Sequence, residues 1–475
     1  PKVLCVQSII VIVLPTLILQ RQSQSMHTKF NPETYCHAAM SSYSVHGNGR
    51  VRPCCMSKVS TNTYMPNTDF SSFKNTQHFK TGETLQNFVN DAALVDIRKQ
   101  MINGKKPDAC IECWKLEERG VQSFRQIQND LYQEDIEETL NLLNDDGYLE
   151  QAAITYLDVT LGNVCNLKCR SCNPWASHSW IEEGPTVPHS EFTETTYKVA
   201  VMSSKNPWFM TAFYNGYFDA VLSRVKVINF LGGEPLVVKE HYDWLEHIVE
   251  QGWAKNISLQ YNSNGTTIPK RVLELWKSFK KVTVSLSLDS VGDLAYYVRF
   301  PSKWHVIQKN VGKLATFARE YKNLNVQTHM TLSCLNIHDL PNMLEWCKQQ
   351  YDTWHYISKG DDWTHYGYIN CIPHFNIVEQ PYNMHMCHLP DDEKMQLDKM
   401  LTQQYLKYKN SDMPEWESAS LENIKGLKNI LGQKRDEIEW NKFLENTEVS
   451  DNFRNVDIVN YIPWMEKYIE ARSNR

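Results

Sequence analysis

Between residues 153 and about 372, short apolar-rich runs alternate with longer amphipathic stretches. The runs 154–160, Val225–Leu231, Ile257–Asn262, Val282–Leu288, Val326–Ser333 and Tyr366–Ile372 predict strands, and helical patterns lie between most of them. In the fourth crossover Trp304, Ile307, Val311, Leu314 and Phe317 fall on one helical stripe. Strand–helix alternation repeated six times predicts an α/β fold with a parallel sheet, either open or curled into a partial barrel. In such sheets the chemistry sits at the carboxyl ends of the strands.

The flanking segments read differently. Residues 30–130 carry a turn signal, Gly47-Asn-Gly-Arg50, between Tyr43-Ser-Val and Val51-Arg, which predicts a small hairpin. Ala92-Ala-Leu-Val-Asp-Ile97 predicts a helix, and residues 131–152 a charged, helical connector. Residues 173–224 form a long insertion between the first two strands, whose Trp175, Trp180, Trp208 and Phe209 are expected to pack or to cover a site. Residues 386–475 predict a helical extension, with Leu421, Ile424, Leu427, Ile430 and Leu431 on an apolar face. The run Ile9–Leu14 is too short to predict a membrane span and is broken by Pro15. Residues 1–25 are expected to be non-native or disordered, with Met26 the expected start.

Length and composition narrow the class. A chain of 475 residues predicts two or three domains. A net charge of −6 with no long basic run does not indicate nucleic acid as a partner. Several of the thirteen cysteines sit in C-x2-C groups, which points to metal or redox work in a reducing, cytoplasmic compartment.

The candidate chemistry falls at the predicted strand ends. Cys165, Cys169 and Cys172, spaced C-x3-C-x2-C, follow the first strand. Three thiolates on one loop leave the fourth position of a centre open, whereas structural zinc wants four closed ligands. Gly232-Gly-Glu-Pro235 follows the second strand, Asn264-Gly-Thr266 the third, and Ser287-Leu-Asp289 ends the fourth. Upstream, Cys36, Cys54, Cys110 and Cys113 supply four thiolates, enough for zinc or a [4Fe–4S] cluster. Cys55, adjacent to Cys54, could replace it. Cys334, Cys347, Cys371 and Cys387 read as buried small hydrophobes.

The three-cysteine loop and the Gly232–Pro235 segment resemble those of the radical S-adenosylmethionine (radical SAM) superfamily over about 153–372, within a core expected at 153–385. The resemblance implies a partial (β/α)6 barrel like an incomplete TIM barrel. It also implies a [4Fe–4S] cluster on Cys165, Cys169 and Cys172, with SAM on the open iron. Gly232, Gly233, Glu234 and Pro235 would then meet the methionine amino group, Ser287 and Asp289 the ribose, and Arg299 the carboxylate, with Asn264 and Asn336 as weaker candidates. The planar fork of arginine suits a carboxylate. The first cysteine group resembles the auxiliary-cluster twitch or SPASM modules, here placed ahead of the barrel as in a group of such proteins frequent in tailed-phage genomes. That implies a second [4Fe–4S] cluster, a reductant such as flavodoxin or ferredoxin and, if phage-encoded, a host-cell cytoplasm.

Three functions follow. The leading one is a radical SAM enzyme modifying a peptide or protein. The second keeps that chemistry on a small molecule or nucleotide precursor. The third is a non-catalytic cluster- or zinc-binding interaction protein.

Overall fold

A computed structural model describes residues 28–46, 51–58, 63–64, 77–78, 89–118, 122–151, 153–188, 197–198, 200–201, 213, 216–354, 368–409 and 414–473. Residues 1–25, Gly49, Trp208, Phe209 and Tyr366 lie outside these.

Eight strands form the main sheet: β1 (Ser42–Val45), β2 (Val51–Arg52), β3 (Tyr156–Thr160), β4 (Val227–Leu231), β5 (Ser258–Ser263), β6 (Lys281–Ser287), β7 (Leu324–Leu332) and β8 (Tyr368–Ile377). Their order is β8-β7-β6-β5-β4-β3-β1-β2, and β3 to β8 run parallel to one another. All six strands expected from the alternation are present, their limits shifted by a few residues. The expected hairpin is present as well, with Ser44 opposite Arg52 and Val45 opposite Val51. The pattern did not announce that β1 also pairs parallel with β3, so a strand from the cysteine-rich N-terminal segment extends the main sheet. A separate two-residue ladder pairs Thr63–Tyr64 with Gln77–His78.

The register explains why this sequence settles on one face. Val45, Val159, Phe230, Tyr261, Val284 and Val326 are aligned neighbours across six strands, and all are buried in the core. One residue back, the aligned set is Ser44, Asp158, Asn229, Gln260, Thr283 and Asn325, every one polar. A parallel sheet covered on both faces ordinarily reads as continuous Val, Ile and Leu. Here one face is apolar and joins the helices, while the other presents hydrogen-bonding groups. Slipping any strand by one residue would exchange the two sets, so the register is strongly specified.

The helices supply the other half of the core. Trp304–Tyr321 buries Ile307, Val311, Leu314 and Phe317 as its stripe predicts. In the C-terminal extension Asp391–Lys409, Pro414–Leu431 and Glu437–Arg454 are helical, and Leu397, Leu401, Ile424, Leu427, Trp440 and Phe443 join the same core. Among the described residues, no helix is long and apolar enough to cross a membrane.

Candidate active site at the strand ends

The loop after β3 is tied down on two sides. Lys168 N–H donates to Phe300 O at 2.7 Å and Arg170 N–H to Val298 O at 2.9 Å, so 168–170 and 298–300 run as a short ladder. On the other side the residues just after the cysteines turn back onto them. Cys165 N–H donates to His178 Nδ1 at 3.0 Å, which makes that nitrogen the acceptor. Ser179 Oγ donates to Cys165 O at 2.8 Å, Ser177 Oγ to Leu167 O at 2.6 Å, and Trp180 Nε1 to Cys169 O at 3.0 Å. Of these residues the sequence singles out only Trp180, expected to pack or to cover a site. The only available signal was the short polar run Ser177-His-Ser-Trp180, which has no chemistry of its own.

Cys165 and Cys169 are buried and Cys172 half-buried, none in a disulfide. Burial pushes the Cys165 thiol up to about 12, and the neighbouring Cys169 sulfur adds to it. Cys172 is raised by burial, then by Cys169 and Cys165. Desolvated thiols of this kind become thiolates only when a cationic centre binds them.

The Gly232–Pro235 segment packs directly on this loop. Gly232 and Gly233 have φ of +81° and +48°. A Cβ on Gly232 would lie 2.4 Å from Gly162 O, and one on Gly233 2.1 Å from Val164 O, so only glycine permits the approach. Glu234 N–H donates to Val164 O at 2.8 Å. The Glu234 carboxylate is buried and accepts from Leu236 N–H (3.1 Å), Ser263 Oγ (2.9 Å) and Asn264 N–H (2.5 Å), joining the ends of β4 and β5. Burial raises it to about 7 against these hydrogen bonds. Pro235 opens the short helical turn that Glu234 caps. Asn264 holds the cysteine loop from the β5 end, its Nδ2 donating to Asn166 Oδ1 at 2.9 Å.

Arg299 pairs with Asp289 at 2.7 Å, and both side chains are largely or fully buried. Burial pulls the guanidinium down, but Cys169, Asp289 and Cys165 outweigh it and the group is held protonated. Asp289 also accepts from Thr331 N–H at 2.8 Å, so its oxygens position Arg299 and the neighbouring strand end. Among the described residues, Arg299 Nε is buried without a hydrogen-bond partner, which leaves this donor free for a bound group. Ser287, half-buried on the polar face, is aligned with His329. Asn336 is occupied locally: it accepts from Ser333 N–H (2.7 Å) and donates to Asp289 O (2.7 Å) and Thr331 O (2.9 Å).

In the N-terminal segment the Cys54 thiol is pushed well up by burial, then by the nearby sulfurs of Cys36, Cys110 and Cys113. Cys110 is raised in turn by burial, Cys36 and Cys113. Those four thiols therefore lie within each other's fields. Cys55 turns away, toward Asp158 on the polar face of β3. Among the described residues, no three Cys, His, Asp or Glu side chains close on one point as ligands of a single ion do. A [4Fe–4S] centre takes one thiolate at each separate iron, and both thiol sets suit that demand in number and type.

The C-terminal helix Glu437–Arg454 closes the far side of the loop. Asp451 pairs with Arg170, and Tyr297 OH donates to Asp451 at 2.9 Å. Arg454 pairs with Glu183 at 2.8 Å, and Glu183 also with Lys168 at 3.1 Å. Between the loop, the residues after β8 and this helix lies a cavity of about 120 Å³, lined by Cys172, Asn173, Trp175, Trp180, Gln380, Asn383, Phe443, Asn446, Thr447 and Ser450 among others.

Residues 159–347 match the family model described as the radical SAM superfamily. A GTP 3',8-cyclase of Vibrio parahaemolyticus serotype O3:K6 is 22% identical over 201 residues, covering 41% of this chain and 51% of that protein. The chain thus spans about half the length of this curated relative. Among solved structures, anSMEcpe with bound AdoMet and a Cp18Cys peptide is 14% identical at a TM-score of 0.33, covering 54% of this chain and 61% of that one. Streptococcus suis SuiB bound to S-adenosylmethionine is 16% identical at a TM-score of 0.26, covering 50% and 48%. The matched segment takes in Cys165, Cys169, Cys172, Gly232–Pro235 and Arg299, which the fold gathers at one end of a parallel sheet, so residues 159–347 are the part of the chain that is similar to the radical SAM superfamily.

Proposed function

We propose that the chain is an enzyme holding a [4Fe–4S] cluster on Cys165, Cys169 and Cys172, with SAM between that loop, Gly232–Pro235 and Arg299, and that it modifies a peptide or protein. The observation that carries the cofactor assignment is Arg299, a buried cation beside the cysteine loop whose Nε has no acceptor among the described residues. The bound pair supplies reductive cleavage of a sulfonium C–S bond and hydrogen abstraction by a 5′-deoxyadenosyl radical. The protein's part is to position and to exclude water: Asp289 aims Arg299, Glu234 locks the ends of β4 and β5, and Asn264 steadies Asn166. Cys36, Cys54, Cys110 and Cys113 would hold a second [4Fe–4S] cluster, and an external reductant of the flavodoxin or ferredoxin type would supply electrons.

The cavity beside Cys172 supports a peptide over a nucleotide. Its described polar groups are neutral amides and hydroxyls, and its cation, Arg170, is already paired with Asp451. A phosphate group wants uncommitted cations or a nest of backbone N–H groups, whereas amides and aromatic faces suit peptide backbone and side chains. The likeness to a GTP 3',8-cyclase is the reason to keep the nucleotide reading in the test.

Anaerobic reconstitution should load roughly eight irons per chain and release 5′-deoxyadenosine on reduction. Cys165→Ala should lose half the iron and all SAM cleavage. Cys54→Ala should lose the other half, and Cys55→Ala neither. A fully loaded chain that leaves SAM intact would sink the catalytic reading. Deuterium appearing in 5′-deoxyadenosine from labelled nucleotides, and not from labelled peptides, would overturn the substrate class.

A further inference from the structure

We infer that Arg454, from the last turn of the C-terminal helix, is a positioning residue for the cluster on Cys169, donating hydrogen bonds from its Nη groups to cluster or thiolate sulfur. The inference rests on the cluster assignment above. Arg454 is 282 positions from Cys172 along the chain, and its side chain is 0% exposed. Its Nε donates to both Glu183 oxygens, at 2.9 and 2.8 Å, and its guanidinium carbon lies 4.9 Å from the Trp180 ring and 5.2 Å from the Phe300 ring. These contacts pin the fork in one plane. They leave Nη1 and Nη2 buried with no hydrogen-bond partner among the described residues. A buried guanidinium whose N–H groups lack acceptors carries the full desolvation cost of those donors, so an acceptor belongs there.

The geometry indicates which acceptor. Trp180, against which Arg454 lies, donates its indole N–H to Cys169 O. Lys168, which shares Glu183 with Arg454, immediately precedes Cys169. Phe300, the other ring, accepts through its carbonyl from Lys168 N–H. Trp180 and Phe300 are thus bonded to the backbone at Cys169 and Lys168, Glu183 is paired with the Lys168 side chain, and the Arg454 charge acts on the Cys169 thiol.

The charge balance agrees. Around the loop, Lys168, Arg170, Arg299 and Arg454 are paired with only Glu183, Asp289 and Asp451. With the Glu234 carboxyl, which burial raises to about 7, holding its proton, one cation is in surplus before the cluster arrives. Three thiolates more than offset the core charge of a [4Fe–4S]²⁺ centre, leaving an anion that this surplus matches. Hydrogen bonds and positive charge at cluster sulfur favour the reduced state, which is more negative by one charge. The C-terminal extension would thus be part of the redox centre rather than a distant cap.

The test uses the full reconstituted chain with Cys54→Ala present, so that only the loop cluster titrates. Arg454→Gln removes the charge and the fork; Arg454→Lys keeps the charge and removes the fork. The inference expects iron at the loop to be retained in Arg454→Lys. It also expects the reduced-to-oxidised ratio of that cluster at a fixed poise, read by EPR, to fall about tenfold in Arg454→Gln and less in Arg454→Lys. A parent chain with a normal cluster and variants with an unchanged ratio would overturn the role of Arg454 alone. A parent chain that takes up no iron at the loop would overturn the cluster assignment itself. Loss of loop iron in Arg454→Gln with a normal apo-protein melting curve supports the same contact through affinity. Unfolding of both variants before iron is added assigns Arg454 to the fold instead and also overturns the inference.

Discussion

Replacing Gly233 by alanine tests whether the close approach of the Gly232–Pro235 segment to the cysteine loop is what sets the site. The added Cβ would lie 2.1 Å from Val164 O, 2.7 Å from its carbonyl carbon and 2.9 Å from its nitrogen, all backbone atoms that no rotamer change can remove. An ordinary carbon–oxygen contact is about 3.3 Å, so the two segments must separate by roughly 1 Å. A φ of +48° adds strain of about 1 kcal/mol for any residue with a Cβ. Forced separation of packed backbone costs roughly 1–3 kcal/mol more, and the Glu234 N–H to Val164 O bond at 2.8 Å is put at risk for about 1 kcal/mol. The expected loss is therefore about 3–5 kcal/mol. Two controls isolate the contact. Gly252 has φ +74° and nothing within 4 Å of an added Cβ, so its alanine variant should lose only the strain. Gly312, inside the Trp304–Tyr321 helix with equally open surroundings, should gain up to about 1 kcal/mol as alanine. Urea denaturation of the apo chain measures the three, and iron analysis measures the site. Because Cys165 follows Val164, Gly233→Ala should also lose iron at the three-cysteine loop while keeping it at Cys36, Cys54, Cys110 and Cys113. If Gly233→Ala matched Gly252→Ala in stability and kept its full iron, the steric argument would be wrong.

Two further outcomes can be checked. Burial raises the Asp158 carboxyl to about 6, so the folded state holds its proton through a pH range in which the unfolded chain has released it. Native stability owed to this group is therefore present below pH ~4 and lost as pH rises through about 6. Relative to the parent, Asp158→Asn should gain up to roughly 3 kcal/mol across that window, read from urea midpoints at a series of pH values; a pH-independent difference would refute the burial argument. In thermal melts Asp451→Ala, which strands the buried Arg170, should cost roughly 3–5 kcal/mol, with faster proteolysis of the Glu437–Arg454 helix, whereas Arg271→Ala at the exposed pairs with Asp243 and Glu246 should cost under about 1 kcal/mol.

The sequence by itself determined the parts of this protein that depend on neighbours a few residues away. Strand alternation is a period-two property, and the aligned Val45–Val326 and Ser44–Asn325 sets carry it, so six strands were legible to within a few residues. The C-x3-C-x2-C spacing and the Gly-Gly-Glu-Pro run needed only local counting, and both lie at strand ends as expected. What the chain could not reveal was which buried charge meets which. Asp289 is spent on Arg299, Asn336 on its own loop, and Arg170 and Glu183 find partners 281 and 271 residues away. The edge strand β1 and the opposite facing of Cys54 and Cys55 were likewise decided by packing. The reason is physical: a local pattern fixes which face of an element is apolar, but an ion pair forms only where the assembled core leaves two charges no water and no other partner. The three-cysteine loop could be found by spacing alone, while the ion pairs that ring it, Lys168 and Arg454 with Glu183, Arg170 with Asp451 and Arg299 with Asp289, exist only in the folded chain.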